Sequence, residues 1–211
     1  MKIPAFPVYL FDVDGTLTDS AHDICAAVRT VVNKQGFFPT DEFMRGYIGR
    51  HLDDLFLDLN PAYTKEELAA MLADYRGIYH SFNHGNTRLY PGVGEALSKL
   101  GGRKSTATTK GTPTTRVVLE LFGLLQYFDH VQGTDGFPAK PQPDVIRKSL
   151  DVFQSAPADC LMVGDSPADM EAGRNAGVKI CAVRYGYGNM DQMARFEPDY
   201  WIDDLRQLLP V

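Results

Sequence analysis

The chain has 211 residues, 44% of them hydrophobic, and a net charge of −6 without any run of lysine or arginine. One sizeable core, or a core carrying a smaller insert, is within reach of that length, while the electrostatic footprint of a nucleic-acid binder is missing. No segment approaches the roughly 18–20 consecutive apolar residues that span a bilayer. The opening "MKIPAFPVYLFD" has prolines and an early Asp where a secretory leader needs a longer apolar stretch. Cys25, Cys160 and Cys181 are odd in number and form no CxxC pair, as expected of reduced packing thiols. A soluble, cytosolic protein without nucleic-acid or membrane partners is expected.

The run "VYLF" (8–11) predicts a buried strand, short, apolar and closed by turn residues. From residue 20 to about 87 helical patterns follow one another. "AHDICAAVRTVVNKQG" stops at Gly36, two shorter pieces come next, and "TKEELAAMLADYRGIYHSF" opens with Thr64 and Glu67 in capping-box spacing. From "YPGVGEALSKLGG" onward helices and strands alternate. A helix over 92–100 leads to a strand near 104–109, and "TPTTRVVLELFG" predicts a helix with Thr112 as N-cap and Gly123 as stop. A short strand in "FDHVQGTD", a helix in "PDVIRKSLDVF" and a buried strand in "CLMVGD" come next. "SPADMEAGRNAG" reads as a helix capped by Ser166, and "KICAVRYG" as a further strand. Such alternation predicts an α/β fold, a doubly wound parallel sheet. The helical block is then an insert: residues 1–17 and 88–211 form the core and 18–87 a helical cap.

Ligand sites of open parallel sheets lie at the carboxyl ends of the strands, where four polar clusters fall. They are Asp12 and Asp14 in "DVDGT"; Thr108, Thr109 and Lys110 in "TATTKG"; Lys140 in "AKPQPD"; and Asp165 and Asp169 in "VGDSPAD". Asp12 and Asp14, two residues apart, repel each other unless a cation or a shared proton relieves them. Clustered carboxylates suit a hard cation such as Mg²⁺, and hydroxyls, lysine and turn amides suit phosphoryl oxygens. A carboxylate beside such a group can attack phosphorus, and a second can move the proton. Taken singly, each group has a structural explanation: threonines in a strand, a loop lysine before proline, Asp169 complementing a helix dipole. Asp165, ending an apolar strand just before the N-cap, has none.

In this order, "DVDGT", "TTK", "KPQPD" and "GDSPAD" resemble the four signature motifs of the haloacid dehalogenase superfamily, and the helical insert resembles the cap of its phosphoglycolate-phosphatase-like branch. The resemblance runs through nearly the whole chain. It implies a Mg²⁺-dependent phosphatase acting on a small phosphomonoester, phosphoglycolate-like or a sugar phosphate. Asp12 would be nucleophile, Asp14 general acid and base, Thr108 (with Thr109 beside it) the phosphate-binding hydroxyl, and Lys140 the partner of phosphate and nucleophile. Asp165 would bind the metal with the Asp12 carboxylate and the Asp14 backbone carbonyl, supported by Asp169. Two departures stand out: Thr109 where relatives often carry Asn, and the polar strand "RKSTAT".

Other chemistries on this scaffold include a phosphosugar mutase, which passes the aspartyl phosphate to a sugar. A dehalogenase has no need of Asp14, and a phosphonate-cleaving relative needs a cap lysine that Lys34 and Lys65 do not evidently supply. A signalling receiver or an idle phosphate-binding module would give no sustained turnover. In the cap, "YIGRHLDD" places Gly49 and Arg50 in a loop between helices, where Arg50 could meet a substrate anion; His80, His84 and Arg88 read as surface or hinge residues.

Overall fold

The computed structural model describes residues 2–210. Five strands form one parallel sheet: β1 (Val8–Phe11), β4 (Arg103–Thr106), β5 (Cys160–Gly164), β6 (Lys179–Val183) and β7 (Tyr200–Ile202), in the order β4-β1-β5-β6-β7. Two short strands, β2 (Thr18–Asp19) and β3 (Arg88–Leu89), pair antiparallel outside it. β1 is buried on both faces, as parallel strands are. Tyr9 and Phe11 enter one hydrophobic cluster, with Val93, Leu97, Val118 and Leu119, while Val8 and Leu10 enter another, with Ile146, Leu150, Met170 and Ala172. The first cluster is covered by α5 (Val93–Lys99) and α6 (Thr112–Leu121), the second by α7 (Asp144–Phe153) and α8 (Pro167–Ala176). A short α9 (Met190–Ala194) precedes β7.

The insert has its own core. Helices α1 (Ala21–Lys34), α2 (Asp41–Arg45), α3 (Leu52–Leu59) and α4 (Lys65–Ser81) bury Ala27, Val28, Leu55, Phe56, Met71 and Tyr79 among themselves. The α4 capping box forms as predicted: Thr64 Oγ1 accepts from Glu67 N at 3.2 Å, and Glu67 Oε2 accepts from Thr64 N at 2.8 Å. Both connections to the sheet domain run through the β2–β3 pair. Asp23, buried at the start of α1, accepts from Asn86 N, Asn86 Nδ2 and Thr87 Oγ1 at 2.8–3.1 Å and so ties the return segment to the outgoing one. Burial alone would push its carboxyl up; these bonds hold it below the usual carboxylate value.

Three local expectations are corrected. "FDHVQGTD" forms no named strand: only an isolated bridge joins His130 to Ser105. Side chains take over the ladder there. The Asp129 carboxylate accepts from Lys104 N at 2.8 Å, and the Thr106 hydroxyl both donates to Gln132 O and accepts from Gln132 N. The same bonds explain the polar β4, an edge strand whose buried Ser105 also meets Ser149 at 3.1 Å. Thr112 is the first residue of α6 rather than its N-cap, which is Gly111; the Asp135 carboxylate caps this end through space by accepting from Thr112 N and Oγ1. His84, expected at the surface or in a hinge, is buried with its ring edge-on to Tyr79, which removes the surface alternative.

Candidate active site

β1 ends at Phe11, and Asp12 follows it, still held in the sheet by its N–H to Val163 O at 2.9 Å. The chain then turns tightly, with Leu17 N and Thr18 N both bonding Val13 O. Gly15 sits in this turn at φ 89°, and a Cβ there would lie 2.2 Å from Asp165 Oδ2. Only glycine allows both the backbone angle and the close approach of the neighbouring carboxylate.

Asp12, Asp165 and Asp169 are all buried, and one carboxylate oxygen from each lies within 4.8 Å of the others. Asp165 accepts from Thr16 Oγ1 at 3.0 Å and from Tyr187 N at 2.8 Å. Asp169 forms a capping box with Ser166, the predicted N-cap, and its other oxygen lies 2.5 Å from Lys140 Nζ. Lys140 Nζ is also 3.0 Å from Asp12 Oδ1, close enough for charge pairing but off the line of a hydrogen bond, so this buried oxygen has no hydrogen-bond partner. Burial drives the Asp12 carboxyl up to about 7, against the pull of Lys140, with Asp169 and Asp14 adding to the rise. Asp165 is raised well above its ordinary value, first by burial and then by Asp169 and Asp12.

The Asp14 side chain turns away from this trio. It accepts from Ser20 Oγ at 2.6 Å and lies 3.2 Å from Lys110 Nζ, in the wall of a cavity of about 530 Å³ between sheet domain and cap. Thr108 is buried and its Oγ1 accepts from Lys110 N at 3.3 Å, while Thr109 lines the cavity. Arg50 lines it too, but its guanidinium is half-exposed, 3.3 Å from Asp54 and 5.0 Å above the Tyr47 ring. Beside it, Gly49 sits at φ 89° directly over the sheet domain, where a Cβ would lie 3.2 Å from Ser166 Oγ.

The residues fit a divalent cation. Three buried carboxylates, Asp12, Asp165 and Asp169, surround one lysine, Lys140, which leaves a formal excess of two negative charges. An orphaned carboxylate oxygen at the centre and oxygen-only donors suit Mg²⁺ chemistry.

Sequence reasoning missed two participants. Lys110 stands in the sequence only among groups suited to phosphoryl oxygens, with no task of its own. Tyr187 had none either: its N–H holds Asp165, and its hydroxyl accepts from Ser20 N at 2.7 Å and Ala21 N at 3.0 Å and donates to Asp19 at 2.8 Å. One residue thus joins the acidic cluster to the cap connection. Its signal was its place after β6, at the carboxyl edge of the sheet.

Comparison with known proteins shows the family. The family model described as haloacid dehalogenase-like hydrolase matches residues 9–183. A phosphoglycolate phosphatase from Vibrio vulnificus is 35% identical over 95% of this chain and 93% of its own. The pyrophosphatase PpaX of Bacillus cereus is 30% identical over 96% of this chain and 94% of its own. Among solved structures, a haloacid dehalogenase-like hydrolase from Bacteroides fragilis superposes with a TM-score of 0.92 at 28% identity, covering 97% of this chain and 100% of that one. With a family model over most of its length and relatives of this identity and coverage, the chain belongs to the haloacid dehalogenase-like hydrolases.

Proposed function

We propose that this hydrolase is a Mg²⁺-dependent phosphatase that cleaves a small phosphate ester through an aspartyl phosphate on Asp12. The observation that carries the reading is the division of labour between two carboxylates in one turn: Asp12 enters the acidic cluster beside Lys140, and Asp14 faces the cap cavity beside Lys110. In this reading Asp12 attacks phosphorus, and Asp14 meets the leaving oxygen.

Asp12 and Asp165, with the backbone carbonyl of Asp14, would hold the ion, and Asp169 would support Asp165. When bound, Mg²⁺ supplies charge neutralisation to the phosphoryl oxygens. Lys140 neutralises charge on the same group and stays oriented by Asp169. The Thr108 hydroxyl and the amides of the loop after β4 orient the remaining oxygens. In the first half-reaction an Asp12 oxygen bonds phosphorus as the ester bond breaks, and Asp14 protonates the departing oxygen. In the second, Asp14 takes a proton from water as that water attacks the aspartyl phosphate, releasing phosphate and restoring Asp12. The cap keeps water out while the leaving group departs, and the β2–β3 connection is where it pivots.

Among the described residues no helix is long and apolar enough to cross a membrane. The three cysteines are free and buried, which suits a cytosolic setting.

Phosphate release from a panel of small esters, with and without Mg²⁺, tests the proposal. Turnover that requires Mg²⁺ and disappears in Asp12→Asn is expected. Sustained turnover in chelator, or in that variant, contradicts it.

A further inference from the structure

Lys110 follows the phosphate loop, yet its side chain points to the cap. It is only 8% exposed; its Nζ donates to Tyr79 Oη at 3.1 Å, lies 4.4 Å from the centre of the Tyr79 ring and stands 3.2 Å from Asp14 Oδ2. Tyr79 belongs to the cap and stacks on Tyr75, so the cation has a backed aromatic ring on one side and a carboxylate on another. Burial works against its charge, but Asp14 and Tyr79 outweigh that and hold the ammonium protonated.

An ammonium carries three N–H donors. Tyr79 takes one and Asp14 stands beside another. Lys110 also borders the cavity of about 530 Å³, which leaves a donor to offer to an occupant. Elsewhere the cap wall of the cavity mixes apolar Ile24, Val28, Met44, Ile48 and Leu72 with His51, Arg76 and His80. Arg50 is engaged with Asp54 and half in water, where screening weakens its pull. Of the cations that line the cavity, Lys110 is the one paired with Asp14, so a negative group on an occupant near Asp14 finds a counter-charge there.

We propose that Lys110 recognises a negative charge on the leaving group, a few bonds from the oxygen that departs. This rests on the phosphatase reading, in which that oxygen lies at Asp14, and it deepens it by naming the residue that selects phosphate esters or anhydrides whose leaving group is itself an anion. A carboxylate and a second phosphate share this chemistry. Lys110 is thus a specificity determinant supplied by the sheet domain, and because Tyr79 is its other partner, it is also the point where a closed cap and a bound anion are sensed together.

The test compares substrates matched in size. 2-Phosphoglycolate and pyrophosphate carry an anionic leaving group, and 2-hydroxyethyl phosphate replaces the carboxylate of the first with a neutral hydroxymethyl group. Each is assayed in Mg²⁺ with the wild type, Lys110→Gln and Lys110→Arg, with a thermal melt to show that each variant is folded. A charge-assisted hydrogen bond predicts a wild-type preference in kcat/KM of at least about tenfold for one or both anionic substrates over the neutral one. Lys110→Gln should erase most of that preference, and Lys110→Arg should keep part of it. An equal fall on all three substrates in Lys110→Gln, a preference that survives that substitution, or no preference in the wild type overturns the assignment while leaving the phosphatase reading intact. A wild type inert toward these and every other ester overturns both.

Discussion

Lys140 and Asp12 stand 3.0 Å apart, ammonium to carboxylate, and both are sealed from solvent. The pair is incomplete, because Lys140 is shared with Asp169 and Asp12 Oδ1 has no hydrogen bond. Without a cation, Asp12 is a cost to the fold.

Asp12→Asn is therefore expected to abolish turnover and to raise the melting temperature in chelator near pH 8. Relief worth about 1 kcal/mol corresponds to about 2–4 °C for a chain of this size. The measurement is a pair of melts beside an activity assay. A variant that melts well below the wild type in chelator would mean that the Asp12 charge is satisfied by Lys140 alone.

The same imbalance sets a pH dependence. The unfolded Asp12 carboxyl titrates near about 4 and the folded one at about 7. A raised folded value contributes stability that is complete below the unfolded pKa and lost as pH rises through the folded one. Asp165 is shifted in the same direction. In chelator the melting temperature should fall from about pH 5 to about pH 8, and the stabilisation gained on adding Mg²⁺ should grow over that window. A melting temperature that rises over the same window in chelator would contradict it. Asp23 and Asp199 are held below their usual values and act in the opposite sense, so their contribution fades only at strongly acidic pH.

Asp165 and Asp169 should separate by experiment. Asp165→Ala removes a candidate ligand, leaving Thr16 Oγ1 and Tyr187 N to find water. It should weaken apparent Mg²⁺ affinity by more than about 100-fold with a modest loss of stability. Asp169→Ala strips Lys140 of a buried partner and Ser166 N of its cap acceptor. It should cost about 3–5 kcal/mol of stability and roughly 10–100-fold in Mg²⁺ affinity, as loss of a supporting contact does. Melts in chelator and Mg²⁺ titrations of activity give the two rankings. If the order is reversed in either, the roles of the two aspartates are misassigned.

The strand-end logic that located these groups worked because β1 and β5 are continuous apolar runs closed by aspartates, a pattern that carries its own register. It worked less well at the edges. β4 is polar because its hydroxyls bond across the edge to Gln132 and Ser149, and nothing local in "RKST" announces those partners. β7 is three residues long, with Tyr200 and Trp201 half-buried, too short for a period to show. Thr112 looked like a cap because its own neighbours suggested one, whereas Asp135 performs that task from 23 residues away. The acidic cluster was legible position by position. The cap side was not: Lys110, Tyr79 and Tyr187 matter through contacts between segments distant in sequence.

Gly49 offers a test of cap closure. At φ 89° an alanine is strained, and its Cβ would press on Ser166 Oγ at 3.2 Å. Gly49→Ala should lower kcat/KM on small esters by about tenfold or more while costing about 1–2 kcal/mol of stability. Hydrolysis of a bulky aryl phosphate, which reacts with the cap open, should fall far less. Equal losses on both substrates would show that this contact supports the fold and not the closed state.

A covalent aspartyl phosphate on Asp12 fixes the stereochemical course at phosphorus, which can be measured. The substrate is a phosphorothioate monoester made chiral with one oxygen isotope and hydrolysed in water carrying another. Two in-line displacements, first by Asp12 and then by water, predict net retention of configuration in the released thiophosphate. Inversion would mean that water attacks the ester directly, and would contradict the account at its base.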